Sequence, residues 1–238
     1  MLAAIAALSL AAKGTVVMIH GAGGGGWEYD KWRPVFEKAG WTVVNRDLVP
    51  VGGKYENTKF NDYVRQVLTW TPKHGKIVYI GASMGGILAL KANEKHPASA
   101  VVLVNSVGPK GIGPKTDRKP NPPLVVWKDG PLKDTEDAMP DSDRETILWA
   151  WKRWRNESGA VMNQIHAGIP ARRPKCPVLV VLGANDIDVP HATGLALAKW
   201  SSADVKTYEN MSHVGPLMST RAEEVASFVE SWVNQKTN

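Results

Sequence analysis

The amino-acid sequence predicts an α/β chain: a mostly parallel central sheet flanked by helices and broken by one small, partly helical insertion. Three observations carry this. Short β-branched runs alternate with longer segments of helical period, the pattern of a parallel sheet covered by helices. The strand runs are apolar at nearly every position rather than at alternate ones, as strands buried on both faces require. Between Val107 and Pro170 the alternation stops, and Gly108-Pro109, Gly113-Pro114, Pro120, Pro122 and Pro123 interrupt regular structure.

Taken in order, Thr15 to Ile19 reads as a buried strand and Trp41 to Asn45 as the next, with a helix from Lys31 to Ala39 between them that Gly40 stops. Asn57 or Thr58 is placed to cap a helix in which Phe60, Tyr63, Val64, Val67 and Leu68 share a face, and Pro72 follows its end. Ile77 to Ile80 is a strand, Met84 to His96 a helix ended by Pro97, and Ala100 to Val104 a fully buried strand. In the insertion one amphipathic helix is expected, with Ser142-Asp143-Arg144-Glu145 as a capping box and Ile147, Leu148, Trp151 and Arg155 at helical spacing behind it. The sheet pattern resumes at Val178 to Leu182, passes through a helix from Ala192 to Trp200 and a strand from Val205 to Tyr208, and closes with a helix from Arg221 to Val233. The core thus comprises residues 1–106 and 171–238, with residues 107–170 as a cap.

Composition agrees with one globular domain: 238 residues, 43% hydrophobic and 22% charged, exclude a disordered or collagen-like chain. A net charge of +6, spread without a basic run, gives no reason to expect a nucleic-acid partner. The single Cys176 excludes an internal disulfide and a metal site of the Cys-pair kind. Met1 to Ala12 is an uncharged apolar run, shorter than the ~20 residues of a spanning helix, so no stable membrane insertion is expected. It has the apolar middle and small-residue end of a signal peptide without the positive start, so a soluble cytoplasmic protein is favoured and export is the alternative. Nothing in the sequence constrains the oligomeric state.

Gly81-Ala82-Ser83-Met84-Gly85, then Gly86, stands between a predicted strand and a predicted helix. A serine on such a sharp turn needs small neighbours, because its backbone is strained and its flanks approach other chain closely. The turn lifts the hydroxyl above the sheet edge, at a helix N-terminus that favours developing negative charge. Ser83 is therefore the candidate nucleophile, which needs a base and an acid to orient that base. Asp186 leaves the end of the strand from Val178 to Leu182 and is preferred as the acid to Asp188, two residues on. His213, in the loop between the last strand and the final helix, is the base. The glycine run from Gly21 to Gly26 after His20 could supply an anion-stabilising N–H. It also admits a weak dinucleotide-binding reading through Gly21, Gly23 and Gly26, with Asp47 on a ribose; no Lys-Ser or Lys-Thr follows for a Walker loop.

With these residues the chain resembles the α/β-hydrolase superfamily, in its small-lidded esterase group near plant-type methylesterases, hydroxynitrile lyases and their bacterial relatives. The likeness rests on His20-Gly21, the Gly81 to Gly85 elbow, Gly183 to Asp186 with Val189-Pro190, and His213. It implies an α/β-hydrolase fold, a triad of Ser83, Asp186 and His213, and an oxyanion hole from the backbone N–H groups of Ala22 and Met84. The family often has histidine before the nucleophile, where this chain has Ala82, and the pocket lysine of the lyases has no counterpart that can be located. Trp27 and Trp151 are candidate substrate-binding residues; alternatively Trp151 packs the cap on the body while Trp149 and Trp154 cover surface. The expected activity is hydrolysis of short-chain or aryl carboxylic esters, small molecules, with no metal or organic cofactor required. A lactonase, thioesterase, C–C hydrolase or perhydrolase would use the same machinery, and a ligand-binding protein with little turnover is the rival of another class.

Overall fold

Six strands form one sheet in the order β2-β1-β3-β4-β7-β8, and every neighbouring pair is parallel. The strands are β1 (Thr15–Ile19), β2 (Thr42–Val44), β3 (Ile77–Ala82), β4 (Ala100–Val104), β7 (Val178–Gly183) and β8 (Asp204–Tyr208). A small antiparallel ribbon pairs β5 (Leu124–Val125) with β6 (Glu157–Ser158). The structure is a computed structural model and describes residues 12–113 and 119–238. Most of the run from Met1 to Ala12 falls outside the described residues; among those described, no helix is long and apolar enough to cross a membrane.

Alternation along each strand divides the core in two. Val16 and Met18 of β1 join α1 (Arg33–Lys38) and α9 (Ala222–Thr237) on one face. Val17 and Ile19 join α2 (Phe60–Trp70), α3 (Met84–Lys95) and α7 (His191–Ser201) on the other. Ala222, Val225, Val229 and Trp232 of α9 are buried together as the predicted face. Because the strands are parallel, the loops leaving β1, β3, β4, β7 and β8 all emerge at one edge of the sheet, the usual place for ligands in such folds.

Several local expectations are corrected. Neither Asn57 nor Thr58 caps α2: Tyr55–Asn57 form a 3-10 turn, Thr58 Oγ1 accepts the Val51 N–H, and Lys59 takes the cap position, its N–H held by Asp62 at 2.8 Å. The first helical N–H, that of Phe60, goes to Gln164 across 104 residues, a tertiary bond with no local sequence signal. Residues 107–170, the β4–β7 connection, contain three helices among their described residues rather than one: α4 (Leu132–Ala138), α5 (Arg144–Trp151) and α6 (Gly159–Ala167). Asp143, not Ser142, caps α5 by accepting the Thr146 N–H at 2.7 Å, while the Ser142 hydroxyl donates to Met218 O. The helix ends at Trp151, so Arg155 lies beyond it. A short α8 (Gly215–Met218) also follows His213, where a loop was expected.

Candidate active site

Ser83 has the strained backbone its spacing predicts, with φ 51° and ψ −119° between β3 and α3. The neighbouring glycines are needed for contact: a Cβ on Gly81 would fall on the Gly85 backbone, and one on Gly85 would fall on the Ile19 carbonyl. Ser83 N–H donates to Val104 O at 3.0 Å and Ser83 O accepts from Gly86 and Val107, so the strain is held from both adjoining elements. The N–H of Met84 is the first of α3, where no intrahelical acceptor exists.

Asp186 and His213 meet at the same sheet edge, with Nδ1 to Oδ2 at 2.8 Å and side-chain exposures of 12% for His213 and 1% for Asp186. The other carboxylate oxygen of Asp186 accepts the N–H groups of Asp188 and Val189, both at 2.9 Å, which fixes its plane. Burial works against a charged imidazole, but the hydrogen bond and charge of Asp186, with smaller help from Asp188 and Glu28, raise the His213 pKa above its ordinary value. Asp188 also approaches, one oxygen lying within 4.8 Å of the Asp186 and His213 ligand atoms, but it is exposed. Among the described residues no hydrogen bond joins Ser83 Oγ to His213.

The glycine loop does not run into a helix N-terminus; it enters a 3-10 turn, Gly26–Tyr29. Three of its N–H groups are taken by carboxylates: Gly21 by Glu28 at 3.1 Å, Gly23 by Glu157 at 3.2 Å and Gly26 by Asp47 at 2.8 Å. The groups a pyrophosphate would need are thus already bonded to carboxyl oxygens, and Asp47 faces the loop and Arg155, which overturns the dinucleotide reading. Ala22, between two such anchored residues, has an N–H with no acceptor among the described residues. His20 locks the base of the loop: its Nε2 accepts the Leu48 N–H at 2.8 Å, so its Nδ1 donates to Gly21 O at 2.7 Å. Burial, with the Arg155 charge, lowers its pKa to about 4, and it stays neutral.

Four residues not expected from the sequence to take part in the site hold these loops. Asn105, 2% exposed and at φ 41°, ends β4; its amide donates to Ser212 O and His213 O and its oxygen accepts the Gly183 N–H. A polar residue closing the apolar run from Ala100 to Val104 was the available signal. The other three come from the β4–β7 connection. Asp141 accepts the N–H and hydroxyl of Ser212, beside His213, at 2.9 and 2.7 Å. Arg155 donates to Gly24 O at 2.6 Å and to Leu48 O at 3.2 Å, and its backbone N–H meets Gly23 O at 2.7 Å. Glu157, 3% exposed, bonds Gly23 N–H, Tyr63 OH and its following N–H; burial raises its pKa against these bonds.

The tryptophans are arranged differently from expectation. Trp149 and Trp154 pack edge-on against Trp27, at 5.2 and 5.0 Å between ring centroids. Trp151 instead donates its indole N–H to Gly130 O within the connection. A cavity of about 450 Å³ is lined by Trp27 and Trp149, by Leu217 and Met218, and by Glu28; Ser83, Trp151 and His213 do not line it.

A parallel sheet with its polar groups gathered on loops at one strand edge, including a strained serine and an Asp–His pair, defines an α/β hydrolase. The chain belongs to the alpha/beta hydrolase family, which it matches over residues 16–228. It is similar to norfluorocurarine synthase 1 of Strychnos nux-vomica, 30% identical over 107 residues, 41% of this chain and 40% of that protein. It is also similar to methylesterase 8 of Arabidopsis thaliana, 29% identical over 132 residues, 52% of this chain and 46% of that protein. The match spans less than half the length of either relative. Among solved structures, a pyrethroid hydrolase from Sphingobium faniae JZ-2 superposes with a TM-score of 0.74 at 20% identity, covering 92% of this chain and 97% of that one. A methylesterase from Arabidopsis gives 0.71 at 20% identity, covering 92% and 98%.

Proposed function

We propose that the chain is a serine carboxylesterase acting on short-chain or aryl esters. The observation that carries this is the 2.8 Å Asp186–His213 pair on the sheet edge that also carries the strained Ser83 turn. Ser83 attacks the ester carbonyl; His213 Nε2 takes its proton and returns it to the alkoxide leaving group; Asp186 holds the tautomer that leaves Nε2 free and stabilises the imidazolium. Ala22 and Met84 N–H groups receive the oxyanion, at roughly 3 kcal/mol per donor. Water then attacks the acyl-enzyme by the same steps in reverse roles. The β4–β7 connection serves as the cap, and Trp27 is the aromatic wall of the substrate pocket. The methylesterase and pyrethroid hydrolase names among the similar proteins support ester cleavage as the reaction class.

The test is steady-state hydrolysis of p-nitrophenyl esters of graded chain length, with and without a serine-directed phosphonate. Ser83→Ala is expected to lower kcat by roughly 10⁵-fold or more with the fold kept. Unchanged turnover in that variant would end the assignment, and a single burst without turnover would point to a ligand-binding relative.

A further inference from the structure

Glu28 is a buried carboxyl that the mechanism above leaves unused. It sits in the 3-10 turn after the glycine loop, 5% exposed, with Oε2 on the Gly21 N–H at 3.1 Å. Its Oε1 lies where a Cβ on Gly24 would stand, so the absence of a side chain there is what admits the carboxyl beneath the loop. A Cβ on Gly21 would lie 3.3 Å from Ser83 Cβ and 3.8 Å from Glu28 Oε2, so loop, serine and carboxyl are in one cluster. We propose that Glu28 is a positioning residue for the ester hydrolysis inferred above: it anchors the Gly21 N–H so that the next N–H, of Ala22, faces Ser83, and its negative charge supports the imidazolium His213 becomes.

The first half follows from chain geometry. Gly21 and Gly23 are each tied to a carboxylate, by Glu28 and Glu157, so Ala22 between them keeps little freedom to turn its N–H away. Glycine-rich backbone is otherwise the most mobile of all, and a donor that must be preorganised to act cannot be left to it. The second half follows from charge. The groups whose charges reach Glu28 are His213 from the loop before α8, Arg155 from the β4–β7 connection, Asp47 from the loop after β2, and Tyr29 in its own turn. Burial pushes the carboxyl up to about 7; the Gly21 N–H, His213 and Arg155 oppose that, and Asp47 adds to it. The His213 charge is thus among the influences that favour the ionised carboxyl, and the Glu28 charge among those that raise the imidazole pKa. Each charge favours the other, so the acid limb of the rate profile belongs to the pair rather than to the imidazole alone. The active form has Glu28 ionised and His213 neutral.

The experiment compares the full chain with Glu28→Gln and Glu28→Ala on p-nitrophenyl acetate between pH 5 and 9. Glutamine keeps the shape and an acceptor for Gly21 without the charge; kcat is expected to fall about 10-fold, the scale of one lost charge contact to the developing imidazolium. KM stays within about 3-fold, the mark of a group that acts in the transition state. The acid limb moves to lower pH and loses steepness, because one proton of the coupled pair is gone. Alanine removes the acceptor too and lowers kcat about 100-fold, the scale of a misdirected oxyanion donor. A second readout needs no turnover: amide hydrogen exchange over residues 21–26 speeds up in Glu28→Ala and returns to the parent rate in Glu28→Gln. An unaltered rate and acid limb in Glu28→Gln overturns the charge role, and unaltered exchange in Glu28→Ala overturns the anchoring role. If Glu28→Ala does not fold, the isosteric glutamine variant still decides through its profile. If Ser83→Ala turns over, the esterase reading fails, while the exchange comparison still decides on Glu28.

Discussion

The sheet and the segment that leaves it between β4 and β7 are held by different forces. Every residue of β4 and β7 is buried, packed from both faces by apolar side chains. The connection buries few apolar residues among those described, Met139, Ile147, Ala150 and Val161, and reaches the rest of the molecule through directed polar contacts. Those contacts are concentrated: Asp141 holds the histidine loop, while Arg155 and Glu157 hold the glycine loop. Burial thus fixes the sheet edge from which the loops leave, and a few hydrogen bonds from the connection hold the histidine and glycine loops in place. A change in the sheet is expected to cost stability at unchanged chemistry, and a change in the connection the reverse.

After Ser83→Ala, the largest expected effect lies in the loop that leaves β7, where Asp186 sits outside the buried strand. Asp186→Asn keeps the shape but favours the wrong imidazole tautomer, and kcat is expected to fall about 10³–10⁴-fold. Asp188→Asn is expected to stay within about 3-fold, because its side chain is exposed and Asp186 makes the imidazole bond. Steady-state rates on one ester decide the matter, and a larger loss at 188 would reverse the assignment of the acid.

Next comes the connection. Glu157→Ala frees the Gly23 N–H and the Tyr63 hydroxyl together, so kcat should drop about 100-fold with KM little changed. Measuring kcat beside the melting temperature sharpens the contrast; a melt that collapses while kcat of the folded fraction holds would show the connection to be only a packing element. Leu103→Ala, at a position with 0% exposure in β4, tests the opposite corner. It should cost about 3 kcal/mol in denaturant unfolding and leave kcat of the folded protein near the parent value.

The smallest effect concerns acid. His20 is held neutral, with its pKa lowered from 6.5 to about 4, so its contribution to stability is full above 6.5 and is lost as pH falls toward 4. Glu28, raised from 4.5 to about 7, contributes fully below 4.5 and loses that contribution as pH rises through 7. Between these values the slopes oppose. Glu28→Gln removes one of them, and its melting temperature should fall more steeply than the parent's from pH 6.5 to 5, by roughly 2–4 °C for each kcal/mol exposed. Parallel melting curves in the two proteins would show that the carboxyl is not held protonated by the fold.

Much of the sheet was legible because strands buried on both faces leave continuous apolar runs, and the Ser83 turn because its glycines recur at fixed spacing around one residue. Asp186 and His213 were legible by position after a strand. What stayed hidden was carried by contacts across long stretches of chain. Phe60 finds Gln164, Gly23 finds Glu157 and Ser212 finds Asp141, and no local pattern announces a bond to a residue 71 or more positions away. The misplaced cap of α2 has the same origin, since the N–H that a side-chain cap would have satisfied was claimed from another element. In the connection α5 was legible from its amphipathic spacing, while the short helices α4 and α6 were masked among proline and glycine.

The three indoles of Trp27, Trp149 and Trp154 straddle the join between glycine loop and connection, nearly perpendicular or oblique at interplanar angles of 81° and 66°. Chromophores so near and so skewed share their excitations, and the resulting exciton couplet in the ultraviolet circular dichroism has a sign and amplitude set by their mutual pose. The chain therefore carries an unlabelled optical gauge: lifting one module from the other by a few ångströms dims the couplet before any helix melts.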